Sequence, residues 1–227
     1  MQPHSVSNKC SIIIPSPRWS KLAFIASLVS ASVLQGCIAT PTSGLERMSN
    51  AMVYGEMSFD DPEIVVATSG PVDIDLESFG GTVVVEAVPG LQNTIIEPVR
   101  RARHGHLRRD DAVSSLDAMD YVVELIPGDL DRETVRIVAS SSGAESHFQG
   151  IDFRIRTADL GSVKVRTGRG RVWVKNNTGG VDVQTTHGDI RVITLHPMND
   201  PIVLVTKEGE VVCLPEIGER VLALECF

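Results

Sequence analysis

Residues 161–192 read GSVKVRTGRGRVWVKNNTGGVDVQTTHGDIRV. Gly161, Gly170, Gly179 and Gly188 fall nine residues apart, and each is followed two and four positions later by an aliphatic: Val163 and Val165, Val172 and Val174, Val181 and Val183, Ile190 and Val192. Period-two alternation is the pattern of a half-buried strand, and a glycine at a fixed interval resets it with a tight turn. The plus-two and plus-four side chains share an inner face, while Lys164, Trp173, Asp182 and Arg191 at plus three face outward. Burying each inner Val or Ile is worth roughly 1.5–3 kcal/mol, yet one such unit cannot bury its face alone. Stacked units can, either as a two-sided β-solenoid of about eighteen residues per coil or as an antiparallel meander closing into a β-sandwich.

The outward residues separate these geometries. Coiling sets Lys164 beside Asp182 as an ion pair and Trp173 beside Arg191 as a cation–π pair, whereas a meander puts Trp173 between Lys164 and Asp182. Two specific pairs favour the coil. The expected fold is therefore all-β, a β-solenoid of short repeated strands, with the antiparallel β-sandwich as the alternative.

The pattern extends both ways from the quoted stretch. Strands are expected at 64–67, 72–76 and 82–87, where Gly70 and Gly81 precede Val72 with Ile74 and Val83 with Val85. The segment at about 91–150 breaks the period and reads as an irregular insertion, with strands at 94–99, 121–126 and 134–139 and a short helix over 110–119. After an interruption at 195–201 the pattern resumes at 202–205 and 211–214, and 221–224 reads as a closing strand.

The amino terminus has a different character. Residues 1–36 carry Lys9, Arg18 and Lys21 and no acidic residue, then the apolar run Leu22 to Leu34, too short to span a bilayer. The run ends in Leu34-Gln35-Gly36-Cys37, which resembles a bacterial lipoprotein signal; the resemblance implies cleavage before Cys37 and its lipidation, palmitate included. Ile38, rather than an aspartate, follows the cysteine and implies an outer-membrane destination. The expected organisation is a signal peptide over 1–36, a lipidated tether over 37–62 containing Thr40-Pro41-Thr42-Ser43-Gly44 and a short helix at 45–54, and a β-repeat domain over 63–227.

Composition limits the partners. The chain has a net charge of −8, and loss of the three leader cations takes it to −11, which argues against nucleic acid. Aromatics make up only 4% of residues, so the core must be built from aliphatic ladders. Cys10 leaves with the leader, and Cys213 and Cys226 either pair in an oxidising compartment or leave Cys213 as a buried thiol at an inward position two after Val211.

The stretch 163–190, with Thr185-Thr186-His187-Gly188-Asp189-Ile190 as its most similar element, resembles the bacterial putative-adhesin domain of G-x-[IV]-x-[IV] strands. The resemblance covers 151–214 well and 64–90 more weakly. It implies a solenoid-like β fold with an adhesive or structural role at the cell envelope, and brings no catalytic residues with it.

Several residues raise sharper possibilities. Gly179-Gly180-Val181-Asp182 approaches a calcium-binding nonapeptide, but lacks its third glycine, and Lys164, Trp173 and Arg191 stand where oxygen ligands are required. Arg100, Arg101, Arg103, Arg108 and Arg109 form the dense basic cluster of an acidic protein, suited to phosphate or carboxylate or else simply solvated. His104 and His106 lack a third metal ligand at recognisable spacing. Asp152, Asp159, Asp182 and Asp189 with His187 are the residues a β-helix carbohydrate-active enzyme would use, though their turn positions are explained by local hydrogen bonding. The expectation is a non-catalytic envelope protein without cofactor or metal. It is held to the membrane through Cys37 and displays Trp173 and Arg191 to an envelope protein or glycan; a periplasm-facing structural or assembly lipoprotein is the alternative.

Overall fold

The computed structural model describes residues 9–12, 55–105, 107–128, 132–194, 200–217 and 220–221. In chain order the strands are β1 (Lys9–Ile12), β2 (Met57–Asp60), β3 (Ile64–Val66), β4 (Val72–Ser78), β5 (Val83–Ala87) and β6 (Thr94–Ala102). Helix α1 (Arg109–Asp117) follows, then β7 (Met119–Pro127), β8 (Glu133–Ser141), β9 (Gln149–Thr157), β10 (Leu160–Arg169), β11 (Val172–Asn177) and β12 (Val181–His187). The series closes with β13 (Ile190–Thr194), β14 (Ile202–Glu208), β15 (Val211–Ile217) and β16 (Arg220–Val221). The all-β expectation holds, and the helix expected over 110–119 lies at 109–117.

Two mixed sheets face each other. The first runs β1-β14-β12-β10-β4-β8-β7, the second β16-β15-β13-β11-β5-β9-β6-β2, with β3 also on β6. From β10 to β15 the chain alternates between them, and each strand pairs in parallel with the strand two further on. Val163 pairs with Val181, Lys164 with Asp182, Val172 with Ile190 and Trp173 with Arg191, the eighteen-residue register expected of coiling. The inner residues Val163, Val165, Val172, Val174, Val181, Val183, Ile190 and Val192 are all buried to 1% exposure or less. The interruption at 195–201 lengthens the step without losing register, since Val181 pairs with Ile202 and Ile190 with Val211.

The segment at 91–150 is drawn into both sheets. β8 pairs in parallel with β4, and β9 with β5, so they form a further rung beside β4 and β5. The remaining strands there are antiparallel: β7 on β8, β6 on β9, and β2 and β3 on β6. They close one end of the stack, where α1 packs against β6, β2 and β7 and buries Ala112 and Leu116. Tyr121 and Phe153 meet edge-on at that end, ring centres 5.6 Å apart, the largest fully buried side chains of an otherwise aliphatic core.

The corners explain the glycine period. Gly170 and Gly188 have φ of +120° and +140°, and they stack so that a Cβ at Gly188 would overlap the Gly170 carbonyl. Just before these corners, inward hydroxyls replace aliphatics: Ser78, Thr167, Thr185 and Thr206 lie in register, all buried. Thr167 donates to the Arg169 carbonyl at 3.1 Å, which also accepts from Gly81 N at 2.9 Å, and Thr206 donates to the Gly188 carbonyl at 3.1 Å, so these buried hydroxyls are satisfied at the turns.

The described part of the expected signal peptide is β1, which pairs antiparallel with β14. Cys37, residues 38–54 of the expected tether with its expected helix, and Cys226 lie outside the described residues, as does all of the expected closing strand 221–224 except Val221; the rest of the expected tether, 55–62, is not a free linker but carries β2, paired with β6. Cys213 is a buried free thiol whose pKa is pushed up by burial.

Candidate binding surface

The outer face of the second sheet collects the outward residues of five parallel strands. One row across it reads Arg154, Val84, Trp173, Arg191, Val212, and the next reads Arg156, Glu86, Lys175, Ile193, Leu214. The rows divide by charge. On the β5, β9 and β6 side, Arg156 pairs with Glu97 at 2.6 Å, and Arg154 lies 3.9 Å from both Glu86 and Glu97. On the β11, β13 and β15 side, Trp173, Ile193, Val212 and Leu214 are half-buried on a surface that carries Lys175 and Arg191. Neither cation has a carboxylate partner among the described residues, so this half is apolar and positive within an acidic chain.

The side-chain pairings differ from those expected of the register. Lys164 turns to Asp75 at 3.3 Å, and Asp182 takes Arg166 instead. The cation over Trp173 is Lys175, its Nζ 5.9 Å from the ring centre. Asp75 stands opposite Lys164 on β4 just as Asp182 does on β12, whereas Arg166 and Lys175 each lie two residues further along the same face from Lys164 and Trp173. A side chain on a strand leans along the strand, so a same-face neighbour two residues on competes with the one on the next strand.

The arginine cluster is largely neutralised within the fold. Arg100 pairs with Asp61 at 2.8 Å, donates to the Leu116 carbonyl and lies over the Tyr121 ring. Arg101 reaches Glu56 and Asp152, and Arg103 reaches Glu56 as well. Arg108 bridges Asp111 and Glu145 at 2.6 and 2.8 Å, and Arg109 has no ion-pair partner among the described residues. Burial raises the Asp61 carboxyl above its ordinary value even though Arg100 opposes the shift. Burial acts the same way on Glu56, but the Arg101 hydrogen bond and the Arg103 charge outweigh it and hold Glu56 low.

Beneath this cluster lies a polar network that the sequence analysis did not anticipate. His104 Nε2 is 2.6 Å from Ser115 Oγ, Gln149 Nε2 donates to the same oxygen at 3.0 Å, and Ser141 Oγ donates to Gln149 Oε1. Ser115 Oγ thus accepts from Gln149 and shares a single proton with His104 Nε2. The other ring nitrogen, Nδ1, lies 3.3 Å from Glu145 Oε2. The order serine, histidine, acid is that of a nucleophilic triad. Ser115 is nevertheless buried and accepts from Gln149 from within the network, so the arrangement ties α1 to β6 and β9. A helical serine eleven residues after a histidine gives no sequence signal for it.

The aspartates considered for catalysis have structural work. Asp152 Oδ1 accepts from Thr82 N at 2.7 Å, and Asp189 Oδ1 from Glu210 N at 3.0 Å, each joining one rung to the next. Asp182 is held by Arg166, and Asp159 contributes its carbonyl to Val72 N. No group of metal-ligating side chains is found among the described residues, which include Gly179 to Asp182 and His104; His106 lies outside them. A shallow groove of about 350 Å³ at the strand ends of the first sheet is lined by Glu77, Arg166, Gly168, Gln184, Thr186 and Lys207. Among the described residues no helix is long and apolar enough to cross a membrane.

No family model and no curated protein matches the chain. Two solved structures are similar in outline. One, a "putative cell adhesion protein" from Clostridium sporogenes, is 8% identical with a TM-score of 0.42 over 70% of this chain and 100% of its own. The other, a "putative adhesin" from Bacteroides fragilis, is 15% identical with a TM-score of 0.28 over 62% of this chain and 58% of its own. At scores this low the likeness carries no inference about ligand or role.

Proposed function

We propose that this chain is a lipid-anchored protein of the bacterial cell envelope, at the outer membrane, whose β-solenoid domain is a non-catalytic surface for adhesion or partner contact. One observation carries the reading: the outer strip of β11, β13 and β15, where Trp173 stands among aliphatics with Lys175 and Arg191 free of carboxylates. An aromatic flanked by unpaired cations suits the apolar face of a sugar bearing an acidic group, or an acidic protein surface. The amino-terminal layout ending at Cys37 supports the anchor, and the parallel coil register from β10 to β15 supports the solenoid.

Palmitate labelling of wild type and Cys37→Ala, with protease shaving of intact cells, tests the anchor and its direction. Labelled and shaved protein is expected. Labelled but protected protein would identify a periplasm-facing structural or assembly lipoprotein, and labelling that survives Cys37→Ala would remove the anchor from the proposal. Trp173→Ala with Arg191→Ala is expected to lower retention on anionic glycan or envelope fractions about tenfold or more, as loss of a central aromatic and cation does at other binding surfaces. Unchanged retention would remove this strip as the contact.

A further inference from the structure

The two ends of the sheet stack are built differently. At one end β7 carries Asp120 and Glu124 outward and stops at Pro127, while β2 is short and ends at Asp60, the usual devices against edge pairing. At the other end, β15 contains Pro215 and has β16 paired to its last two residues, Glu216 and Ile217, whereas β14 presents Ile202-Val203-Leu204-Val205-Thr206 with no charge, proline or bulge in that run. The direction of its polar groups follows from the ladder. Val181 N donates to the Pro201 carbonyl at 3.1 Å, so in a parallel pair Pro201, Val203 and Val205 turn toward β12. Ile202, Leu204 and Thr206 therefore turn their N–H and C=O to the open side. That side is taken by β1, antiparallel, with Cys10 opposite Leu204 and Ile12 opposite Ile202. Its occupant comes from residues that the proposed processing removes.

We propose that, after loss of residues 1–36, β14 pairs antiparallel with β14 of a second copy about a two-fold axis at Leu204, joining the first sheets of two molecules. The inference rests on removal of the leader. Of the two-fold registers in which edge-facing groups meet, the one at Leu204 pairs the whole of Ile202 to Thr206, with about six backbone hydrogen bonds. It sets Val203 of each copy beside Val205 of the other, both half-buried, so an apolar outer row continues across the axis.

The test uses the full chain expressed with its leader, extracted in detergent, its amino terminus read by mass spectrometry and its protein mass by light scattering. Leader-free wild type is expected at twice the chain mass. Val203→Lys with Val205→Lys sets like charges across the axis and is expected to halve the mass, whereas Val203→Lys with Val205→Glu sets opposite charges and keeps the dimer, both variants melting as one folded species. A leader-free wild type at single-chain mass, a mass other than twice the chain, or a double-lysine variant that stays dimeric overturns the proposal. A retained leader refutes the processing instead. The edge is then judged on a chain lacking residues 2–12, where a dimer supports the pairing and a monomer overturns it.

Discussion

At the residue scale the fold depends on positions where no side chain fits and on positions where one polar atom has no substitute. Gly188→Ala forces a Cβ into the Gly170 carbonyl at φ +140°, and is expected to cost about 3 kcal/mol or more, read as a lower urea midpoint at unchanged slope. Ser115→Ala leaves the Gln149 amide and the His104 ring without their shared oxygen, an expected loss of about 1–3 kcal/mol, checked by the same titration. The two sites were unequally visible in the sequence. A glycine required by backbone repeats at the backbone's own period, so counting finds it. The Ser115 contact joins a helix, the end of β6 and the start of β9, and no spacing encodes such a meeting. Trp173 and Arg191 fall between these cases, because alternation gives the face but not whether Lys175 or Arg191 reaches the ring.

At the element scale, strands with strict alternation were placed from the sequence to within a few residues, β4 and β12 among them. Alternation does not report the partner or its direction. β7 and β8 alternate like the repeat strands yet pair antiparallel as a hairpin, and the sequence of 91–150 alone reads as an insertion because its strands lack the glycine interval. Parallel pairing of β8 with β4 depends on a neighbour sixty-one positions away, a distance over which no local pattern acts. The joint between β2 and β6 makes a pH prediction. Glu56, just before β2, is held below its ordinary value near 4.5 by Arg101 and Arg103 of β6 and the turn after it. A depressed carboxylate adds stability above its unfolded value that is lost as pH falls through the folded one. Glu56→Gln is therefore expected to be less stable than wild type at neutral pH, with a gap that closes on acidification, measured by chemical denaturation across that range.

At the scale of the whole molecule, the stack behaves as rungs that bury one another, with the antiparallel strands and α1 closing one end. A chain ending at Thr194 loses β14 to β16 but leaves the β12 and β13 rung resting on β10 and β11, as repeat stacks tolerate loss from an end. It is expected to keep its strand signal in circular dichroism and melt at a lower temperature. Deletion of residues 133–157, which removes the rung between the closed end and β4 with β5, is expected to abolish the cooperative melt.

The order of the rungs also sets the order of events during synthesis. β4 and β5 emerge early, yet they occupy the interior of the stack, and the neighbours of Val72 on its two sides, Glu133 and Leu160, follow only sixty-one and eighty-eight residues later. Until then the chain pays the entropy of two long loops and gains no finished rung in return. A chain emerging amino end first thus completes no rung while its first half is made. The same delay leaves a pair of aliphatic strands with bare edges, and a chain stalled before residue 160 is the form a holding chaperone would need to shelter.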